Sequence, residues 1–278
     1  MPGRHERRHS ARAERFSKDM TVVDTIYELN TGLGKQIALV TDLHNEEESG
    51  AAALASMKRR QLDLIAVCGD LFLSVRPDDR PIEESQPHVL PFLRACAEIA
   101  PTYVTLGNHE WGIAAEDLEK MRQTGAVILD DSWVRIGQDG NTDEIGGAGD
   151  IVLGGMTSRG YRFPVKIKIM PDEAWLKEFE RQEGYHILLC HHPEYWCLQG
   201  PLLRDHPIEL VLSGHAHGGQ VRIFGQGLHS PGQGNFPQYT KGIYEGPHGK
   251  LIVSTGLANT GRPVPRWGNP REVVYIKL

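Results

Sequence analysis

No apolar run in this sequence is long enough to cross a bilayer: the longest, such as Leu62 to Val67 and Ile187 to Cys190, fall far short of the roughly 18 to 20 residues a span requires. No hydrophobic stretch follows the basic first residues, so a secretory leader is not expected. Cysteine is scarce. The four present, Cys68, Cys96, Cys190 and Cys197, show no CxxC spacing and lie in or beside apolar segments, where the thiol acts as a small hydrophobe. That pattern points to a reduced, cytoplasmic setting and argues against a structural zinc site built from thiolates. A surplus of positive charge is missing as well. Of 30 basic and 36 acidic residues, six and two fall in the first 18, leaving 24 against 34 in the remainder. So acidic a body, without a stripe of aromatic and basic residues, argues against extensive nucleic-acid contact. Residues 1–19 read as a flexible basic arm that could touch an anionic surface.

What remains is ample for a buried core: 278 residues, 40% of them hydrophobic. From Gln36 onward, short apolar runs alternate with amphipathic stretches, the rhythm of an α/β protein. Ile37–Thr41, Leu64–Val67 and Thr102–Leu106 read as buried strands, with helices over Ser49–Arg60 and Pro87–Ala100 between them. Further helices are expected at Ala114–Thr124, stopped by Gly125, and at Glu173–Gln182. The second half is richer in strands: Ile151–Leu153, His186–Cys190, Ile208–Leu212, Gln220–Phe224, Leu251–Ser254 and Val273–Ile276. This density predicts a second sheet packed on the first. Gly225–Gly249, rich in Gly and Pro, reads as an extended surface loop. Neither a repeat nor a low-complexity linker divides the chain, so residues 20–278 are expected to form one domain.

Five short segments gather metal-competent side chains, each directly after an apolar strand-like run, where open α/β sheets place ligands. They are Asp42-Leu43-His44, Gly69-Asp70, Gly107-Asn108-His109-Glu110, His191-His192-Pro193 and Gly214-His215-Ala216-His217. Carboxylate, amide oxygen and imidazole together suit Mn²⁺, Fe or Zn²⁺. So many donors exceed what one tetrahedral ion can use, and two ions would use them well. Gly69, Gly107 and Gly214 are expected to supply dihedrals that a side chain would forbid. Singly each segment is weak evidence; the ordered set is hard to obtain by accident.

That ordered set, DxH, GD, GNHE, H and GHxH, resembles the calcineurin-like metallophosphoesterase superfamily. The fuller runs Ser213 to Gln220 and Pro265 to Pro270 resemble its bacterial branch that includes the YkuE and YaeI phosphodiesterases. The resemblance spans roughly residues 35 to 278. It implies a four-layer α/β/β/α sandwich of two mixed sheets, with two divalent ions at their C-terminal edges, Mn²⁺ ahead of Fe or Zn²⁺. Carried over by motif, Asp42, His44 and His217 would hold one ion, and Asn108, His191 and His215 the other, with Asp70 bridging. His191 is chosen over His192 from the family's His-x-Pro spacing. His109 would bind no metal and would donate a proton to the leaving oxygen. In several relatives an Asp three residues past the bridging Asp orients that His; here the position is Leu73, so its orientation needs another source.

The implied reaction is hydrolysis of a phosphodiester or phosphomonoester by in-line attack of a metal-bound hydroxide. Arg159, Arg222, Tyr239 and Arg266 are candidates for reaching the small phosphate-ester substrate, each weighed against an ordinary structural role. Two alternatives stand beside this reading. A catalytically idle scaffold on the same fold predicts a missing ligand or a replaced His109, and all eight site residues are present. A nuclease shares the chemistry, but the acidic body disfavours it.

Overall fold

The computed structural model describes residues 21–73, 80–137, 150–158, 173–198, 202–259 and 265–278. The basic arm and Arg159 lie outside the described residues. The first half contributes β1 (Val22–Glu28), β2 (Gln36–Val40), β3 (Leu64–Cys68), β4 (Thr102–Thr105), β5 (Val127–Leu129) and β6 (Ser132–Ile136). Its helices are α1 (Glu47–Met57), α2 (Ile82–Ser85), α3 (Val89–Ile99) and α4 (Ala115–Arg122). Then follow β7 (Ile151–Met156), α5 (Glu173–Glu180), β8 (Tyr185–Cys190) and β9 (Leu210–Ser213). Four two-residue strands, β10 (Arg222–Ile223), β11 (Gln226–Gly227), β12 (His229–Ser230) and β13 (Gly234–Asn235), precede β14 (Gly242–Glu245), β15 (Lys250–Val253) and β16 (Arg271–Lys277).

Two six-stranded mixed sheets result. The first runs β1-β16-β2-β3-β4-β5 and the second β14-β15-β9-β8-β7-β6. β2 and β3 are apolar on both faces because both faces are covered, and β4, Thr-Tyr-Val-Thr, is buried throughout. Ala38, Val40, Ile65 and Val67 pack on α1 and α3 through Ala53, Met57, Phe92 and Leu93. The alternate residues Ile37, Leu39, Leu64 and Ala66 meet Leu153, Ile187, Leu189, Leu210 and Leu212 of the second sheet. Beyond that sheet, Leu176 and Phe179 of α5 cover Val152, Leu188 and Val211. The order is therefore helix, sheet, sheet, helix, the expected four layers.

Boundaries differ in a few places. Gly125 takes φ +91° just past α4, as its stop role requires. Gln220–Phe224 is not the full strand expected: only Arg222 and Ile223 pair, in a hairpin with Gln226 and Gly227. Gly225–Gly249 is partly ordered, since β14 pairs antiparallel with β15 at the sheet edge. Val273–Ile276 belongs to β16, which completes the first sheet rather than the second.

Candidate metal centre

In each sheet the parallel strands end together, and the five segments leave those ends. Asp42 and His44 follow β2, Asp70 follows β3, Asn108 and His109 follow β4, His191 follows β8, and His215 and His217 follow β9. Backbone bonds tie the loops across both sheets: Asp42 N donates to Gly69 O at 3.0 Å, His44 N to Asp70 O at 3.1 Å, and Gly214 N to His191 O at 3.1 Å. All eight predicted residues are thereby brought to one place.

The donor atoms converge tightly. His44 Nε2 and His217 Nε2 are 3.2 Å apart, and lie 3.9 and 3.4 Å from Asp42 Oδ1. His191 Nε2 is 3.1 Å from Asp70 Oδ2, without hydrogen-bond geometry, and His44 Nε2 is 4.0 Å from that same oxygen. Asp70, His191 and His215 form a second close group, and His44, Asp70 and His109 a third. Two nitrogens each about 2.0–2.1 Å from one tetrahedral ion would stand about 3.3 Å apart, so this spacing fits shared cations. The buried Asn108 Oδ1 has no hydrogen-bond donor among the described residues, as suits an oxygen reserved for a cation.

Carbonyls fix which imidazole nitrogen is offered. His44 Nδ1 donates to Phe72 O at 2.8 Å and His191 Nδ1 to Cys68 O at 2.7 Å, leaving each Nε2 facing the cluster. Burial pushes His44 down to about 4, and His215 and His217 well below the usual imidazole range, so these rings stay neutral and able to ligate. Burial also pushes Asp42 up to about 6, although His191 pulls against it. Asp70 is equally buried, yet His191, His109 and His44 hold it well below the usual carboxylate range. Burial opposes charge on His191, but Asp70 and Asp42 beside it drive its affinity for a proton up to about 10. Two buried carboxylates thus create a spot that favours positive charge. His192 stands apart from them, with Nδ1 2.7 Å from Ser158 Oγ.

His109 sits at the rim, its side chain 30% exposed. Its main-chain N donates to Asp70 Oδ1 at 2.9 Å, and its ring Nδ1 donates to the main-chain oxygen of Leu73 at 2.8 Å. The carbonyl of Leu73, not its side chain, thereby orients the ring and leaves Nε2 facing the cluster, 3.7 Å from Asp70 Oδ2.

The backbone is contorted to achieve this. Asp42, His44, Asp70, His215 and His217 all have φ between +45° and +63°. Non-glycine residues in that region cost of order 1–3 kcal/mol each and concentrate at functional sites. The three glycines divide differently from expectation. Gly69 has φ +77°, but Gly107 and Gly214 are required by close approach: a Cβ on Gly107 would lie 2.2 Å from Asp70 Oδ1, and one on Gly214 would lie 2.1 Å from Thr41 Oγ1. A Gly107→Ala protein is expected to lose about 1–3 kcal/mol in thermal denaturation through this overlap, together with most of its hydrolytic activity.

Two supporting residues escaped the sequence reading. Glu110 accepts the main-chain N–H of Asp70 at 2.9 Å, of Gly107 at 2.7 Å and of Phe72 at 2.9 Å, clamping two of the loops together. Asn269 Nδ2 donates to His217 O at 2.7 Å and Gln220 O at 3.2 Å, bracing the loop after β9. Glu110 was visible inside GNHE, but nothing in the spacing revealed a clamp. Three of the substrate-contact candidates serve structure instead. Arg222 donates to Gly218 O, Arg266 donates to Ala258 O and Thr255 O, and the Tyr239 hydroxyl lies 2.7 Å from Cys197 Sγ.

Residues 35–219 match the calcineurin-like phosphoesterase family, and the chain belongs to it as a metal-dependent phosphoric ester hydrolase. Membership implies divalent metal ions, for which the His/Asp groups above are candidate ligands. Among relatives, the chain is 25% identical to the uncharacterized metallophosphoesterase YkoQ of Bacillus subtilis, over 96% of this chain and 93% of that one. It is 24% identical to YkuE of the same organism, over 87% and 78%, and 27% identical to the phosphodiesterase YaeI of Escherichia coli, over 47% and 42%. No helix among the described residues is long and apolar enough to cross a membrane.

Proposed function

We propose that this chain hydrolyses a small phosphodiester or phosphomonoester at a centre of two divalent ions, with Mn²⁺ ahead of Fe or Zn²⁺. Asp42, His44 and His217 hold one ion, Asn108, His191 and His215 hold the other, and Asp70 lies between them. The observation that carries this reading is the position of Asp70 Oδ2, 3.1 Å from His191 Nε2 and 4.0 Å from His44 Nε2, which makes one carboxylate common to both donor groups. When bound, such ions supply Lewis acidity to the phosphoryl oxygens and water of lowered pKa. The residues do the rest. The carboxylates and imidazoles would hold the ions in place, and His109, held through Nδ1, presents Nε2 to carry a proton to the leaving oxygen. Residues 20–278 act as one catalytic unit, a reading supported by β16, which pairs with both β1 and β2, and the cytoplasmic setting is supported by four free cysteines.

A metal-reconstituted screen tests the assignment. Protein stripped by chelator is expected to be inactive on chromogenic mono- and diesters, to regain activity with Mn²⁺ at about two ions per chain, and to leave DNA intact. Full activity after stripping, or saturation at one ion, would overturn it.

A further inference from the structure

Two stretches of chain between β15 and β16 each grip one of the expected ligands. Just after β15, Leu257 N donates to Thr41 O at 3.0 Å and Ala258 N to Asp42 O at 2.8 Å. Gly256, at φ +77°, packs so closely that a Cβ there would stand 2.7 Å from Asp42 Cβ. Just before β16, Asn269 Nδ2 donates to His217 O at 2.7 Å. The Asn269 side chain also fills the space beside Gly218, where a Cβ would come within 2.1 Å of its Oδ1. The first stretch therefore holds Asp42 and the second holds His217.

Arg266 ties these stretches together. Its Nη1 donates to Ala258 O at 2.8 Å and Gly256 O at 3.3 Å, its Nη2 to Thr255 O at 2.7 Å and Pro270 O at 3.4 Å, and its Nε to Asn269 O at 3.1 Å. Every one of these partners is a main-chain oxygen. A guanidinium presents its N–H groups in one rigid plane, so a side chain bonded in this way fixes the distance between the segments it joins. One route runs from Nη1 through Ala258 to Asp42, and another from Nε through Asn269 to His217. The second donor group is braced elsewhere. Glu110 accepts the main-chain N–H groups of Asp70 and Gly107, and Cys68 O accepts from His191 Nδ1. None of those bonds involves Arg266 or the stretches it joins.

We propose that Arg266 is a positioning residue for one ion of the pair. It sets the spacing of Asp42 and His217, and with it the affinity of the ion they would hold with His44, while the ion at Asn108, His191 and His215 depends on the Glu110 clamp. The inference rests on the two-ion reading above, and it gives the run Pro265 to Pro270 a part in that site. Groups that orient metal ligands without touching the metal commonly alter metal affinity by about 10- to 100-fold when replaced.

The test is Mn²⁺ binding to the chelator-stripped full chain without substrate, followed by titration calorimetry and by the electron paramagnetic resonance signal of free Mn²⁺. Wild-type protein should take up two ions. Arg266→Lys keeps the charge but loses the fork, and should bind one ion as wild type does and the other about 10- to 100-fold more weakly. Added to His217→Ala, R266K should weaken the remaining ion no further, which a general loosening of the fold would not reproduce. If R266K fails to fold, Asn269→Ala, which cuts only the link to His217, is read in the same way. Two ions bound by the variant as tightly as by wild type, or both weakened alike, would overturn the proposal and leave the two-ion reading standing. Wild-type saturation at a single ion would remove both.

Discussion

Asp70→Ala is expected to lower phosphoester hydrolysis by about 10³-fold or more, and to leave protein that no longer retains two ions after dialysis. Lewis-acid stabilisation of a phosphoryl transition state is worth several kcal/mol, and each ~1.36 kcal/mol is tenfold in rate. Asp70 Oδ2 lies 3.1 Å from His191 Nε2 and 4.0 Å from His44 Nε2, so its removal should weaken both groups together, whereas loss of His217 should weaken chiefly the group around Asp42. The measurement is kcat/KM at saturating Mn²⁺ beside elemental analysis of the dialysed protein. An alanine variant within tenfold of wild type would show that Asp70 is not shared.

His109→Ala should separate chemistry from binding. The expected loss is about 10²- to 10⁴-fold on an ester with a poor leaving group and much less on a nitrophenyl ester, whose leaving oxygen needs no proton. Metal content should not change, because the residue reaches Asp70 Oδ1 through its main-chain N–H, which alanine retains. An equal loss on both substrates, or loss of metal, would assign His109 to ligation instead. The Leu73 carbonyl fixes the ring through Nδ1.

The strands that carry the ligands were legible because their surroundings are simple. β2, β3, β4 and β8 are buried almost throughout, so each reads as a largely apolar run, and the ligands follow shortly after. The edges were not. β1 mixes Asp24, Thr25 and Glu28 with exposed Ile26, and its partner lies at the other end of the chain. β14 is four residues with alternate positions exposed, within a Gly-rich stretch that offers no period. Within the site, side-chain identity was readable from spacing while support was not. The Glu110 clamp and the Leu73 carbonyl are made with main-chain groups, which every residue carries and no sequence pattern marks. For the same reason Gly107 and Gly214 were given the wrong cause: composition identifies a glycine but not the atom that would collide with its missing Cβ.

The place of β16 between β1 and β2 bears on the order of assembly. Among the described elements this strand is translated after all the others, yet it separates two of the earliest. Until it arrives, β1 has no neighbour in its sheet and one side of β2 stays open, although every ligand loop has already been translated. Synthesis therefore passes through a stage with an exposed hydrophobic ladder, the kind of intermediate that chaperones recognise, and a chain lacking β16 would keep it.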